Sequence, residues 1–273
     1  MVTIGIVNSM QRRTPAQVIE TFHLAFLLAL CARPSEWFVL KGGANLRYFF
    51  GSPRYSNDID LDFTARPAWG VARAVESVLN GAALGQLTRA TQIDIVEWSA
   101  HKQTPTTLRW KVGVRAIATT EVLRTKIEFS GRSSHVSDDW LFQSVPESLV
   151  RPYALRAPAL RRYGATSAIN QKIAALALRS ETKARDVFDL ELLLRQRRAE
   201  NGPLGALDTT HAKTAAERAL EITYASFMSE VAPFLDDVLL ELYDARTWEV
   251  MCRDVSTWLN ELDVEKPRGG HHS

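Results

Sequence analysis

Between residues 58 and 63 the chain reads Asp58-Ile59-Asp60-Leu61-Asp62-Phe63, a strict polar/apolar alternation. That pattern fits a strand with one face packed and three carboxylates on the other. Residues two apart in a strand point the same way, so Asp58 and Asp60 lie within about 7 Å of each other. Two such carboxylates suit hard divalent cations. Mg²⁺ takes oxygen ligands and keeps positions for water and substrate phosphates, and a pair of ions holds both the attacking and the leaving oxygen of a phosphoryl transfer. An isolated Asp-x-Asp is also what a solvated strand face looks like, so its context decides between the two.

The context is specific. Upstream, Trp37-Phe38-Val39-Leu40 reads as a short buried strand ending in Lys41-Gly42-Gly43, and Ala44 to Phe50 returns to a helical pattern that Gly51-Ser52-Pro53 breaks. A double glycine lets the backbone approach a phosphate closely, and the helix after it directs free N–H groups and a positive dipole end at the anion. A metal cage of this kind usually takes a third carboxylate. Glu128, in the strand-like Val122 to Phe129, is the leading choice over Asp94.

The rest of the chain predicts an α+β fold, a mixed sheet with flanking helices followed by a C-terminal helical domain. Pro15 to Cys31 is an amphipathic helix with Thr14 as N-cap, and Trp69 to Asn80 is a helix stopped by Gly81. Ile93 to Trp98, Thr107 to Ala116 and Val122 to Phe129 are strands, the last two a hairpin. From Ser167 onward only helices are expected, over Ala168 to Arg179, Asp186 to Arg197, His211 to Ser229 and Val231 to Leu262. The Pro- and Arg-rich stretch Pro146 to Pro158 reads as the connection, which divides the chain into domains 1–150 and 151–273.

Four ordered motifs resemble the AbiEii/MenT group of toxin nucleotidyltransferases, within the DNA polymerase β-like superfamily. They are Leu40-Lys41-Gly42-Gly43, the spaced Arg54-x-Ser56-x-Asp58-Ile59-Asp60, Lys126-Ile127-Glu128, and a helical pair. The pair consists of Lys172 within Asn170 to Leu176, and Arg185-Asp186 opening the next helix. The resemblance spans roughly residues 36 to 195. It implies a nucleotidyltransferase-type sheet, with Asp58 and Asp60 holding Mg²⁺ and Gly43 and Ser56 against the nucleotide; Glu128 is the expected third ligand, Mn²⁺ could stand for Mg²⁺, and Lys41, Gly42 and Arg47 of the glycine segment are further nucleotide-binding candidates. Lys172 would neutralise phosphate charge, and Asp186 would orient Lys172 or the acceptor hydroxyl. The resemblance further implies NMP transfer from an NTP to an RNA acceptor, the 3′ end of tRNA, and a cognate antitoxin. Ala44 stands where the group commonly has a hydroxyl residue, leaving phosphate contact there to backbone N–H groups.

Composition narrows the alternatives. At 273 residues, 46% hydrophobic and 23% charged, the chain can bury a substantial core. No apolar run approaches the roughly 18 residues of a spanning helix. With no signal-peptide pattern and only two cysteines, Cys31 and Cys252, the expected location is the cytoplasm, away from membranes. Residues 151–200 carry 11 Lys+Arg against 5 Asp+Glu, whereas 201–273 carry 6 against 13. Arg151, Arg156, Arg161 and Arg162, interleaved with Tyr153 and Tyr163, fit either an RNA-tracking strip or a solvated linker. Two other functions stay open here: transfer to a protein or small-molecule hydroxyl, and a non-catalytic binding protein with a vestigial site.

Overall fold

The computed structural model describes residues 13–33, 36–131, 139–200 and 207–264. Helix α1 (Pro15–Cys31) opens on the expected cap, a reciprocal box in which Thr14 and Gln17 each bond the other's backbone N–H. There follow β1 (Phe38–Lys41), α2 (Gly42–Phe49), β2 (Asp58–Phe63), α3 (Ala68–Leu79), α4 (Ala82–Ala90), β3 (Ile93–Thr104), β4 (Thr107–Ala116) and β5 (Leu123–Ser130). After β6 (Trp140–Ser144), α5 (Glu147–Val150) and β7 (Ala159–Tyr163) the chain is helical: α6 (Ala165–Leu178), α7 (Ala184–Glu200), α8 (Ala212–Leu220), α9 (Tyr224–Glu230), α10 (Asp237–Leu240) and α11 (Ala245–Val264).

The seven strands form one mixed sheet in the order β3-β4-β5-β2-β1-β7-β6, so the carboxylate-bearing β2 is central. It runs antiparallel to β1 and parallel to β5. Its alternation works as the sequence demands. Ile59 and Leu61, with Phe38, Leu40, Ile127 and Phe129, pack into a core beneath α1 and α3, and the carboxylates face the other way. A second core joins α6, α7, α8, α9 and α11. Helix α2 contributes to both, with Ala44 and Tyr48 in the first and Leu46 in the second, which fixes the glycine-led helix between the sheet and the helical part.

Several elements depart from the sequence reading. The sheet does not end at residue 150: β7 pairs in parallel with β1 through Leu40 and Arg162, and β6 pairs with β7. Pro146 to Pro158 is therefore the return from β6 to β7, and the helical part begins at Ala165. Gly81 ends α3 and then serves as the N-cap of α4, a helix hidden in the sequence by Gly81 and Gly85. His211 to Ser229 breaks into α8 and α9, because Thr223 caps a fresh start by accepting from the Ser226 N–H. Among the described residues no helix is long and apolar enough to cross a membrane.

Candidate active site

The register across the sheet puts Lys41 opposite Asp60, and Asp60 opposite Glu128, on one face. These three and Asp62 form one wall of a cleft of about 650 Å³, and Ser167, Asn170, Gln171, Lys172 and Arg179 of the helical part face them. Lys41 and Lys172, 131 residues apart in sequence, thus line one concavity with Gly42, Asp60 and Glu128.

Asp60 is the least satisfied of the carboxylates. It has no hydrogen bond or ion pair among the described residues, and its carboxyl is pushed above the usual range, first by burial and then by the nearby Asp58 and Glu128, against the pull of Lys41 and Arg185. Asp58 is held by the Lys126 ammonium at 2.7 Å and the Lys126 N–H at 3.1 Å. Glu128 pairs with Arg109 at 2.6 Å. Asp62 is taken up by Lys41 and by the Tyr163 hydroxyl at 2.9 Å. Asp94, the alternative third carboxylate, pairs with Arg115 on the outer strands, away from the cleft.

Gly42 is required by geometry, and Gly43 is closely packed. Gly42 has φ +67°, and a Cβ there would stand 2.8 Å from Asp60 Oδ2; one on Gly43 would stand 2.7 Å from Ser56 Oγ. Ser56 itself donates to the Asp58 carbonyl at 2.8 Å, tying the loop to the start of β2. No side chain caps α2, so its first N–H groups are free of side-chain acceptors. Gly42→Ala is expected to abolish transfer by displacing Asp60, at a stability cost of only about 1–2 kcal/mol from the left-handed backbone. Activity and thermal unfolding of the purified variant check this, and retention of more than half the activity would contradict it.

Lys172 is 9% exposed, and its ammonium contacts Asp186 at 3.0 Å and Asp189 at 2.6 Å. Both carboxylates are fully buried on α7, one turn apart, and do not line the cleft. Asp186, which also meets Arg179 at 3.1 Å, is turned toward Lys172 and away from the cleft. Asp189 is further bound by Arg54 at 3.0 Å, and together these hold its carboxyl below the usual range although burial alone would raise it. Neither Asp189 nor Arg54 stands out in the sequence as a site residue. The three-residue spacing of Asp186 and Asp189, which puts them on one helix face, was the available signal.

Two expectations are corrected. Arg47 does not reach the cleft. It bonds the buried Glu20 at 2.8 Å and the Ser52 carbonyl at 3.0 Å, with its guanidinium over the Tyr55 ring. Nor do the interleaved tyrosines of the basic stretch present stacking faces: Tyr153 donates to Glu20, and Tyr163 is buried against Asp62. Arg162 is likewise buried, bonded to Gln143.

A central strand with paired carboxylates, a glycine-led helix beside it and a lysine held across the cleft are the arrangement expected of a nucleotidyltransferase. Two solved structures share the fold. JHP933 from Helicobacter pylori is 18% identical with a TM-score of 0.60, covering 93% of this chain and 95% of its own. A second Helicobacter pylori protein, provisionally assigned as a nucleotidyltransferase, is 19% identical with a TM-score of 0.61, covering 94% of this chain and 100% of its own. No curated protein matches the sequence. The model of the nucleotidyl transferase AbiEii toxin family, of type IV toxin–antitoxin systems, matches residues 26–259, and the chain belongs to that family.

Proposed function

We propose that the protein moves a nucleoside monophosphate from an NTP to the 3′ end of an RNA, tRNA by resemblance, in a Mg²⁺-dependent reaction. In the cell it would act as a cytoplasmic toxin restrained by a cognate antitoxin. The observation that carries the RNA acceptor is the sheet face beside the carboxylates. From Asp60 it continues across β5, β4 and β3 with Lys126, Arg124, Lys111, Arg109 and Lys102, aligned by register and exposed or half-exposed; Lys126, Arg109 and Arg124 pair with Asp58, Glu128 and Glu97, and Lys111 and Lys102 make no ion pair among the described residues. Such a strip attracts a polyanion and leads it to the cleft.

The donor set suits a hard cation in kind: Asp58, Asp60 and Glu128 offer only oxygen, and the Asp60 carboxyl, raised by burial and then by Asp58 and Glu128, is one whose charge a cation would stabilise. As they stand, Asp58 and Glu128 are drawn aside by Lys126 and Arg109, and among the described residues no three such side chains gather closely enough to hold an ion. The two basic side chains act as placeholders that a bound cation would displace. When bound, the metal supplies charge neutralisation at the transferring phosphoryl group.

In the reaction the acceptor hydroxyl oxygen bonds the α-phosphorus while the bond from that phosphorus to the α,β-bridging oxygen breaks, releasing pyrophosphate. The Lys172 ammonium, held by Asp186 and Asp189, faces the charge that gathers on the phosphates, and the Gly42 and Gly43 backbone admits them closely. The helical part from Ala165 thereby completes a site that the sheet begins. Incubation with total tRNA, Mg²⁺ and each α-labelled NTP, beside an Asp60→Ala control, tests the reading. Label on RNA from one NTP, absent from the control, is expected. Label on a polypeptide or small molecule instead would move the acceptor, and label on nothing would overturn the proposal.

A further inference from the structure

The cleft has two chemically different walls. The sheet wall is charged, with Lys41, Asp60, Asp62 and Glu128. The facing wall holds Lys172 and Arg179 and, beside them, a stripe of α6 made by Ser167, Asn170, Gln171, Ala174, Ala175 and Leu178. Their spacing of three, one, three, one and three residues is one face of an α-helix. The stripe is uncharged, and Leu178 at its end is 63% exposed, an apolar platform at the mouth of a polar cleft. The two amides differ in what they offer. Asn170 Oδ1 already accepts from the Asp208 N–H at 3.0 Å, which leaves its NH₂ as a donor. Gln171 makes no hydrogen bond among the described residues and keeps both a donor and an acceptor.

We infer that this α6 stripe is the nucleobase subsite and sets which NTP is used. The inference rests on the nucleotidyltransferase reading and adds to it the residues that read the base. The triphosphate belongs on the charged wall and beside Lys172. The uncharged remainder of the nucleotide belongs opposite, with the flat base against Ala174, Ala175 and Leu178 and its polar edge toward Asn170 and Gln171. An aromatic ring on an apolar wall supplies affinity that is indifferent to base identity, and the free amide of Gln171 supplies the discrimination.

The test is calorimetric titration of the full-length protein in Mg²⁺ with ATP, GTP, CTP, UTP and inorganic tripolyphosphate, comparing wild type with Leu178→Ser and Gln171→Ala. Leu178→Ser is expected to weaken all four NTPs about fivefold and leave tripolyphosphate unchanged. Gln171→Ala is expected to narrow the spread among the four NTPs about fivefold, the value of one hydrogen bond of about 1 kcal/mol. Variants that bind every NTP as the wild type does would overturn the inference, as would variants that lose tripolyphosphate in the same proportion. A wild-type protein that binds neither NTP nor tripolyphosphate would instead remove the nucleotidyltransferase reading itself, and the base subsite with it.

Discussion

Asp60→Asn is expected to reduce nucleotidyl transfer by at least about 10³-fold while making the metal-free protein more stable. The two effects share one cause. Asp60 sits on the central strand without an ion pair or hydrogen bond among the described residues, between Asp58 on its own strand and Glu128 aligned on the next. Burial and these like charges raise its carboxyl above the ordinary value, so its charged form weakens the fold. The sign follows from linkage: a carboxyl raised on folding costs nothing below its unfolded value of about 3.9 and exacts its full cost above the folded one. At neutral pH the neutral, isosteric amide removes that cost, and it also removes the anion needed to share a cation with Asp58. Thermal unfolding in chelator, then in Mg²⁺, separates the two. The wild type should gain stability from Mg²⁺, by binding to the native state alone, and the variant should start higher and gain little. A variant less stable than the wild type in chelator would show that Asp60 has a structural partner, and one that still transfers would remove it from the site.

The parts of this site that were legible in the sequence are those governed by local periodicity. Alternation over Asp58 to Phe63 specifies both the strand and the face its carboxylates occupy, and Lys41-Gly42-Gly43 marks the strand-to-helix junction that the structure places beside them. What the sequence withheld is long-range. The alignment of Asp60 with Glu128 depends on parallel pairing between strands 68 residues apart, which no local pattern encodes. Arg47 shows the opposite error, since proximity in sequence to the glycines suggested a phosphate ligand. Five residues along a helix turn a side chain about 140° from its starting face, and here that direction leads to the buried carboxylate of Glu20. Strand β7 was unreadable because Ala159-Leu160-Arg161-Arg162-Tyr163 carries two arginines where a buried strand would carry apolar residues. Both are accommodated by partners far away in sequence, Arg161 over the Trp140 ring and Arg162 on Gln143.

The second large effect is expected at Arg54, a residue outside the cleft. Its guanidinium, 5% exposed, meets both oxygens of the fully buried Asp189 at 3.0 and 3.1 Å, and also donates to the Tyr55 carbonyl at 3.1 Å. Arg54→Ala leaves Asp189 with Lys172 as its sole remaining cation among the described residues and empties volume beside Gly43. Breaking a buried pair by removing one partner costs about 3–5 kcal/mol, far above the 0–1 kcal/mol typical of surface pairs, because the charge left behind remains desolvated. Urea unfolding at pH 7 should show that loss. The acid limb gives an independent check. Asp189 is held below its ordinary value by Arg54 and Lys172 against the effect of burial, so its stabilising contribution is complete above the unfolded value of about 3.9 and disappears as pH falls through the folded one. Without Arg54 the effect of burial prevails, the folded value rises, and acid unfolding begins at higher pH. Arg54→Lys keeps the charge without the two-pronged geometry and should fall between the two. Because Asp189 also holds Lys172, the alanine variant should lose transfer under conditions where it remains folded, and restoration by Arg54→Lys of stability without activity would show that the fork, rather than the charge, sets the lysine. A cost below about 1 kcal/mol would mean that solvent reaches the pair and screens the charge left on Asp189.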